Sequence, residues 1–224
     1  MPKNPAIKQL QISRTRLIIF LRNLIKKVNF NYRTFGVDVE EYILNEIINI
    51  LKEKKIINND KDFHKAKDKN EFPDLQLFIK PKIALEIKSG NHSKLDDGEW
   101  KKCNNSGNDM GTLNKWEEKI TEFGGDNIFY IFIEYDFNDS YKKIIDVKIF
   151  PFYKFLGLNS DNLLRYREKD GNLRPKDFDK PSPINSFEQF LSLVKKTKIY
   201  RSKRIVKKHL KEIPEDQRDE LFEN

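Results

Sequence analysis

The stretch Phe72-Pro73-Asp74-Leu75-Gln76-Leu77-Phe78-Ile79-Lys80-Pro81-Lys82-Ile83-Ala84-Leu85-Glu86-Ile87-Lys88-Ser89-Gly90 sets two acids and a lysine into a mostly apolar frame. Leu75 to Ile79 and Ile83 to Ile87 are short, strand-like runs, and Lys80, Pro81 and Lys82 between them predict a β-hairpin. Side chains alternate along a strand, so Glu86 and Lys88 share one face and Leu85 and Ile87 the other. An odd-length turn brings Asp74 to the face of Glu86 and Lys88. Three ionisable groups then converge.

Two neighbouring carboxylates are hard oxygen ligands of the kind Mg2+ prefers. A lysine beside them can hold or help deprotonate a water near a phosphate. That is equipment for phosphodiester hydrolysis. The other reading of the same residues is a half-exposed hairpin whose wet side carries ordinary charges.

The pattern resembles the PD-(D/E)xK nuclease superfamily, with Pro73-Asp74 as its first element and Glu86-Ile87-Lys88 as its second, at a spacing common in that family. The resemblance implies an α/β fold with a restriction-endonuclease-like core, a mixed central sheet of about five strands flanked by helices. It implies that Asp74 and Glu86 ligate Mg2+, or Mn2+ in its place, that the Ile87 carbonyl completes the site, and that Lys88 orients the attacking water. Family members often place a glutamate on the helix before the hairpin. Glu40 suits that role as an auxiliary ligand or outer acid.

Glu40 lies in the segment Val37 to Leu51, where Val37, Val39, Ile43, Leu44, Ile47, Ile48, Ile50 and Leu51 fill about half of a helical circumference. An acid in so broad an apolar arc also admits a plain reading, paired with a nearby lysine. Upstream, Ala6 to Val28 predicts a basic amphipathic helix or two short ones. Asn58 to Asn70 reads as a polar connection.

Downstream, Ser89 to Gly111 is expected to be a long polar loop, ligand-facing or simply exposed. Its Lys94, Lys101, Lys102, Asn104, Asn105 and Asn108 are candidates for DNA contact, and Trp100 for stacking. Thr112 is expected to cap a helix with Leu113, Trp116, Ile120 and Phe123 on its buried side, ended by Gly124-Gly125. Ile128 to Ile133 reads as a strand buried on both faces, and Lys143 to Phe150 as a further strand in which Ile145, Val147 and Ile149 alternate against Asp146 and Lys148. A second hairpin from Leu163 to Lys176, turning at Asp170-Gly171, presents Arg165, Arg167 and Arg174 to phosphates or guanine edges. Ser186 and Gln189 form a capping box for a C-terminal helix, followed by a basic run from Lys195 to Lys208.

The whole chain, 1-224, reads as a single nuclease domain, with a catalytic core over about 37-150 and recognition elements over 151-224. With 224 residues it can bury a core without staples. A net charge of +8, from 43 Lys and Arg against 35 Asp and Glu, favours a polyanionic partner. One cysteine, Cys103, allows no internal disulfide, and three histidines do not make a zinc pattern. A reducing, cytoplasmic setting and no membrane are expected, since the first residues lack a signal-peptide core and no apolar run spans a bilayer. His92 reads as a polar loop residue.

With no P-loop pattern and no evident accessory domain, the resemblance points to a type II restriction endonuclease. It would act as a homodimer on a short, palindromic double-stranded DNA site and leave 5′-phosphate and 3′-hydroxyl ends. A repair or structure-specific nuclease of the same superfamily would carry the same residues, as would a binding protein that keeps the fold without the activity.

Overall fold

A computed structural model describes residues 4–68, 71–103 and 109–212. The N-terminal amphipathic stretch makes two helices, α1 (Pro5–Ile12) and α2 (Arg14–Lys27). Asn4 caps α1, its side chain accepting from the Ala6 and Ile7 N–H groups. The next helical segment is also divided. A single turn, α3 (Phe35–Asp38), precedes α4 (Glu40–Glu53), so Glu40 stands in the first turn of α4 rather than inside a longer helix.

Three strands follow, β1 (Phe63–Lys65), β2 (Leu75–Leu77) and β3 (Ile83–Asn91). β1 lies in the connection expected to be irregular and pairs antiparallel with β2, Phe63 opposite Leu77. The hairpin of β2 and β3 is as expected, with Leu75 opposite Leu85, although Phe78 and Ile79 leave the ladder and β3 runs on to Asn91.

The expected loop after it is partly a second hairpin, β4 (Ser93–Asp96) and β5 (Glu99–Lys102), forming its own two-stranded sheet. Asp97 and Gly98 both have positive φ, 51° and 83°, as a two-residue Asp-Gly hairpin turn requires. Helix α5 (Trp116–Phe123) then begins after Lys115, not at a Thr112 cap. Thr112 instead bridges to Asn172. Gly124, at φ 75°, ends α5 as anticipated.

β6 (Ile128–Phe137) lies parallel to β3 and antiparallel to β7 (Lys142–Pro151), giving the sheet order β1-β2-β3-β6-β7. This is the expected mixed five-stranded sheet flanked by helices. β6 is covered on both sides. Phe129, Ile131 and Ile133 pack with α1, α2 and α4, whereas Ile128, Tyr130 and Phe132 pack with α5 and the C-terminal segment. Each such fully buried side chain contributes about 1.5–3 kcal/mol.

The chain beyond β7 folds back on the second sheet face. Its hairpin turns at Gly171 and is held by the Tyr166–Leu173 bridge and by the Arg167 and Arg174 N–H groups, which donate to the Asn172 and Arg165 carbonyls; a separate bridge pairs Leu158 with Leu164. The Leu164 N–H donates to Thr197 Oγ1 at 3.0 Å, docking this hairpin on α6 (Phe187–Glu212). Ser186 accepts from the Gln189 N–H at α6, but the Gln189 side chain accepts from Asn185 rather than closing the box on Ser186. The basic run is the second half of α6. Among the described residues, no helix is long and apolar enough to cross a membrane.

Candidate active site

Because Leu75 pairs with Leu85, Asp74 stands beside Glu86 at the end of the hairpin. The Asp74 N–H donates to Glu86 Oε2 at 3.4 Å, and the Ile87 N–H donates to Asp74 Oδ2 at 2.5 Å. Lys88 Nζ donates to Glu86 Oε1 at 2.7 Å. Leu85 and Ile87 belong to the core on the other face of β3, as alternation requires. Asp74 and Glu86 are only 8% and 9% exposed.

Two carboxylates buried this close disfavour double ionisation. Burial, then the charge of Glu86, pushes the Asp74 carboxyl up to about 7, while Lys88 and the Ile87 N–H pull it down. Burial lowers the Lys88 ammonium, yet Glu86, Asp74 and Glu40 together hold it above its ordinary value. Lys88 is therefore a charged donor. Glu40 is raised by burial and by Glu86, with Lys88 opposing. It shares the field of the other three groups from the start of α4.

A cleft of about 720 Å³ opens beside them, lined by Glu40, Lys88, Gly36, Ser89, Arg33 and Lys94 among others. Gly36 allows α3 to approach β3 this closely, because a Cβ there would stand 2.4 Å from Ser89 Oγ.

Sequence reasoning does not single out Lys119 on α5. Its Nζ lies 3.5 Å from the centre of the Phe72 ring, and burial lowers its ammonium to about 8 against the opposing pull of Glu86 and Asp74. The one signal in the chain is its position one turn after Trp116, at the edge of the buried arc of α5.

The expected DNA contacts fall into distinct environments. Lys94 lines the cleft; Lys101 is 3.7 Å from Asp96 within the β4–β5 hairpin, and Lys102 is exposed at the end of β5. Asn104, Asn105 and Asn108 lie outside the described residues. Arg165 pairs with Asp177 at 3.1 Å, Arg167 with Asp109 at 3.0 Å and with Asp170, and Arg174 with Asp109 at 2.7 Å while also lining the cleft.

Trp116 is fully buried, whereas Trp100 meets the Tyr32 ring edge-on at 4.7 Å and donates to Asp139 at 2.7 Å. His92 is the one-residue bend that connects β3 to β4, but it does not face solvent. It is buried between β3 and β4, stacked on Phe178 at 4.0 Å, with Nε2 3.3 Å from Glu134 Oε2.

Among the described residues no three His, Cys, Asp or Glu side chains form a cluster that could by itself hold a metal ion. The oxygen donors at the end of the hairpin are the two carboxylates and main-chain carbonyls. A strand residue's N–H and carbonyl leave the same edge, so the Ile87 carbonyl shares the edge on which its N–H meets Asp74.

No protein-family model and no characterised protein sequence matches the chain. Among solved structures it is similar to NlaIV restriction endonuclease, with a TM-score of 0.53 and 17% sequence identity. This chain has a restriction-endonuclease-like fold. The likeness covers 76% of this chain and 66% of that one, so the chain spans a little under two thirds of the NlaIV length. At that identity the likeness is one of fold, and it agrees with the mixed sheet expected from the hairpin motif. In the restriction-endonuclease-like fold of this chain, the acids and lysine sit at the end of the β2–β3 ladder, with Lys88 in the cleft wall.

Proposed function

We propose that this chain is a Mg2+-dependent type II restriction endonuclease, hydrolysing double-stranded DNA at a short, palindromic site as a homodimer. The grouping of Asp74, Glu86 and Lys88 at one end of the hairpin, with Ile87, Lys88 and Glu40 in the wall of the adjoining cleft, carries this reading. The fold and the net charge of +8 support it.

The donor set fits a hard divalent cation. Asp74 and Glu86 are anionic oxygen donors buried side by side, their mutual repulsion is relieved by a cation, and the Ile87 carbonyl offers a neutral oxygen. Mg2+ normally keeps several waters, which accounts for a protein ligand set this small; Mn2+ suits the same donors. Bound there, the cation would polarise the phosphate and lower the pKa of a water.

The protein's own groups would do the rest. Lys88, a charged donor held by Glu86, orients the attacking water and faces the charge that develops on the phosphate. Water oxygen bonds to phosphorus, the bond to the 3′ oxygen breaks, and that oxygen takes up a proton, leaving a 3′-hydroxyl and a 5′-phosphate. Glu40 adds negative charge at the same centre. Exposed Lys102, and Arg165, Arg167, Arg174 and Lys101 once their present acidic partners are exchanged, would supply phosphate or base contacts.

Incubation of supercoiled plasmid with the protein tests this reading. Nicking and linearisation with Mg2+ or Mn2+, absent with chelator and absent in Glu86→Gln, is the expected result. Cleavage that persists in chelator or in Glu86→Gln overturns it.

A further inference from the structure

The cleft does not end at the catalytic groups. A second cavity of about 360 Å³ continues from it, and the two share Arg33, Asn91, Ser93 and Lys94 in their walls. Its far end is closed by Tyr32 and Trp100, whose rings meet edge to face at 4.7 Å. The groove therefore runs from Glu40 and Lys88, past Arg33 and Lys94, to an aromatic wall. Arg33 comes from the segment between α2 and α3, and Lys94 from β4.

We propose that Arg33 and Lys94 form a clamp for the phosphate next to the one cleaved, so that Arg33 is a DNA-positioning residue. This rests on the reading of the cleft as a nuclease site, and it names which cations hold the backbone there.

Among the basic residues that line the cleft, charge pairing separates these two from Lys88 and Arg174. Arg165, Arg167 and Arg174 are each engaged by aspartates, and Lys88 by Glu86. Arg33 and Lys94 form no ion pair among the described residues. Arg33 Nε donates to Tyr32 Oη at 2.7 Å and its guanidinium lies 5.3 Å from the centre of that ring, contacts that orient it without cancelling its charge.

The segment that carries Arg33 is also held in place. The Arg33 N–H donates to Asn31 Oδ1 at 2.8 Å, and Lys142 on β7 donates to Asn29 Oδ1 and the Phe30 carbonyl, both at 2.7 Å. A cation presented on a fixed segment loses little freedom on binding. Its guanidinium can meet two phosphate oxygens at once.

The test is the salt dependence of binding to duplex DNA, followed by fluorescence anisotropy in the presence of chelator so that nothing is cut. Removing one cation that neutralises a phosphate lowers the slope of log K against log salt by about 0.9. Arg33→Ala and Lys94→Ala are each expected to lower it by about that much, and the double variant by about twice as much. Arg33→Lys keeps the charge and is expected to restore most of the slope. Lys8→Ala, on the exposed face of α1, is expected to leave it unchanged.

A slope unaltered by Arg33→Ala overturns the clamp, whether or not the protein cuts DNA. A wild-type protein that binds no duplex overturns it too. If the slopes change as expected but Mg2+ produces no cleavage, Arg33 and Lys94 still hold DNA phosphate, while the nuclease reading and the placement beside a cleaved phosphate fall.

Discussion

The Ile87 N–H donates to Asp74 Oδ2 at 2.5 Å, so the acid that precedes β2 is tied to the strand carrying Glu86 and Lys88. Together with the Asp74 N–H, which donates to Glu86 Oε2 at 3.4 Å, this bond fixes the first carboxylate relative to the second. It holds in place a pair that repels when both groups are charged.

Asp74→Asn should therefore act in opposite directions on stability and activity. The amide oxygen still accepts from the Ile87 N–H, while the charge beside Glu86 is gone. In chelator the variant is expected to gain about 1 kcal/mol, a rise of about 2–4 °C in unfolding midpoint. Its cleavage should fall by about 10³-fold or more, as expected for loss of a metal ligand. A lowered midpoint in thermal scans would show that Asp74 serves structure first.

Lys88→Ala should separate chemistry from binding. Loss of a donor facing developing charge costs about 10²–10³ in rate. Single-turnover cleavage is expected to fall by that factor, while affinity for duplex changes by less than about tenfold. A loss confined to affinity would make Lys88 a phosphate anchor rather than a group acting on the reacting water.

Glu40→Gln should have a smaller effect. Among the described residues Glu40 makes no hydrogen bond to Asp74, Glu86 or Lys88, and it reaches them through its charge. A drop of about tenfold in cleavage rate is expected, partly recovered at higher Mg2+ concentration. A loss as large as that of Glu86→Gln would make Glu40 a direct ligand.

Lys119 gives a pH signature. Burial holds its ammonium at about 8 in the folded chain, against 10.5 for the unperturbed group. Between those values the unfolded chain binds a proton that the folded chain does not, so this group makes stability rise with pH from about 8 to about 10.5. Urea unfolding in chelator should show that rise relative to Lys119→Met. Parallel pH profiles for the two proteins would contradict the burial of this charge beside Phe72.

The central hairpin was legible because a period of two leaves little freedom: once Leu75 and Leu85 face the core, Glu86, Lys88 and Asp74 must share the other side. β6 was legible from its unbroken apolar run. β1 was hidden because Phe63-His64-Lys65 is short and mostly polar, and its extended form depends on pairing with β2 and on contacts with distant residues. The β4–β5 hairpin carried its sign in Asp97-Gly98, outweighed by the polar residues on either side. Arg33 and Lys119 join the site through tertiary packing of α3 and α5, which no local pattern in the chain encodes.

The most direct test is digestion of a large, unmethylated DNA of known sequence by the purified protein with Mg2+, beside Lys88→Ala, with every end mapped. Discrete fragments whose ends share one short palindrome and carry 5′-phosphates, absent with Lys88→Ala, are the predicted result. Intact DNA after incubation with folded protein that binds duplex, or random ends made equally by the variant, would contradict the account.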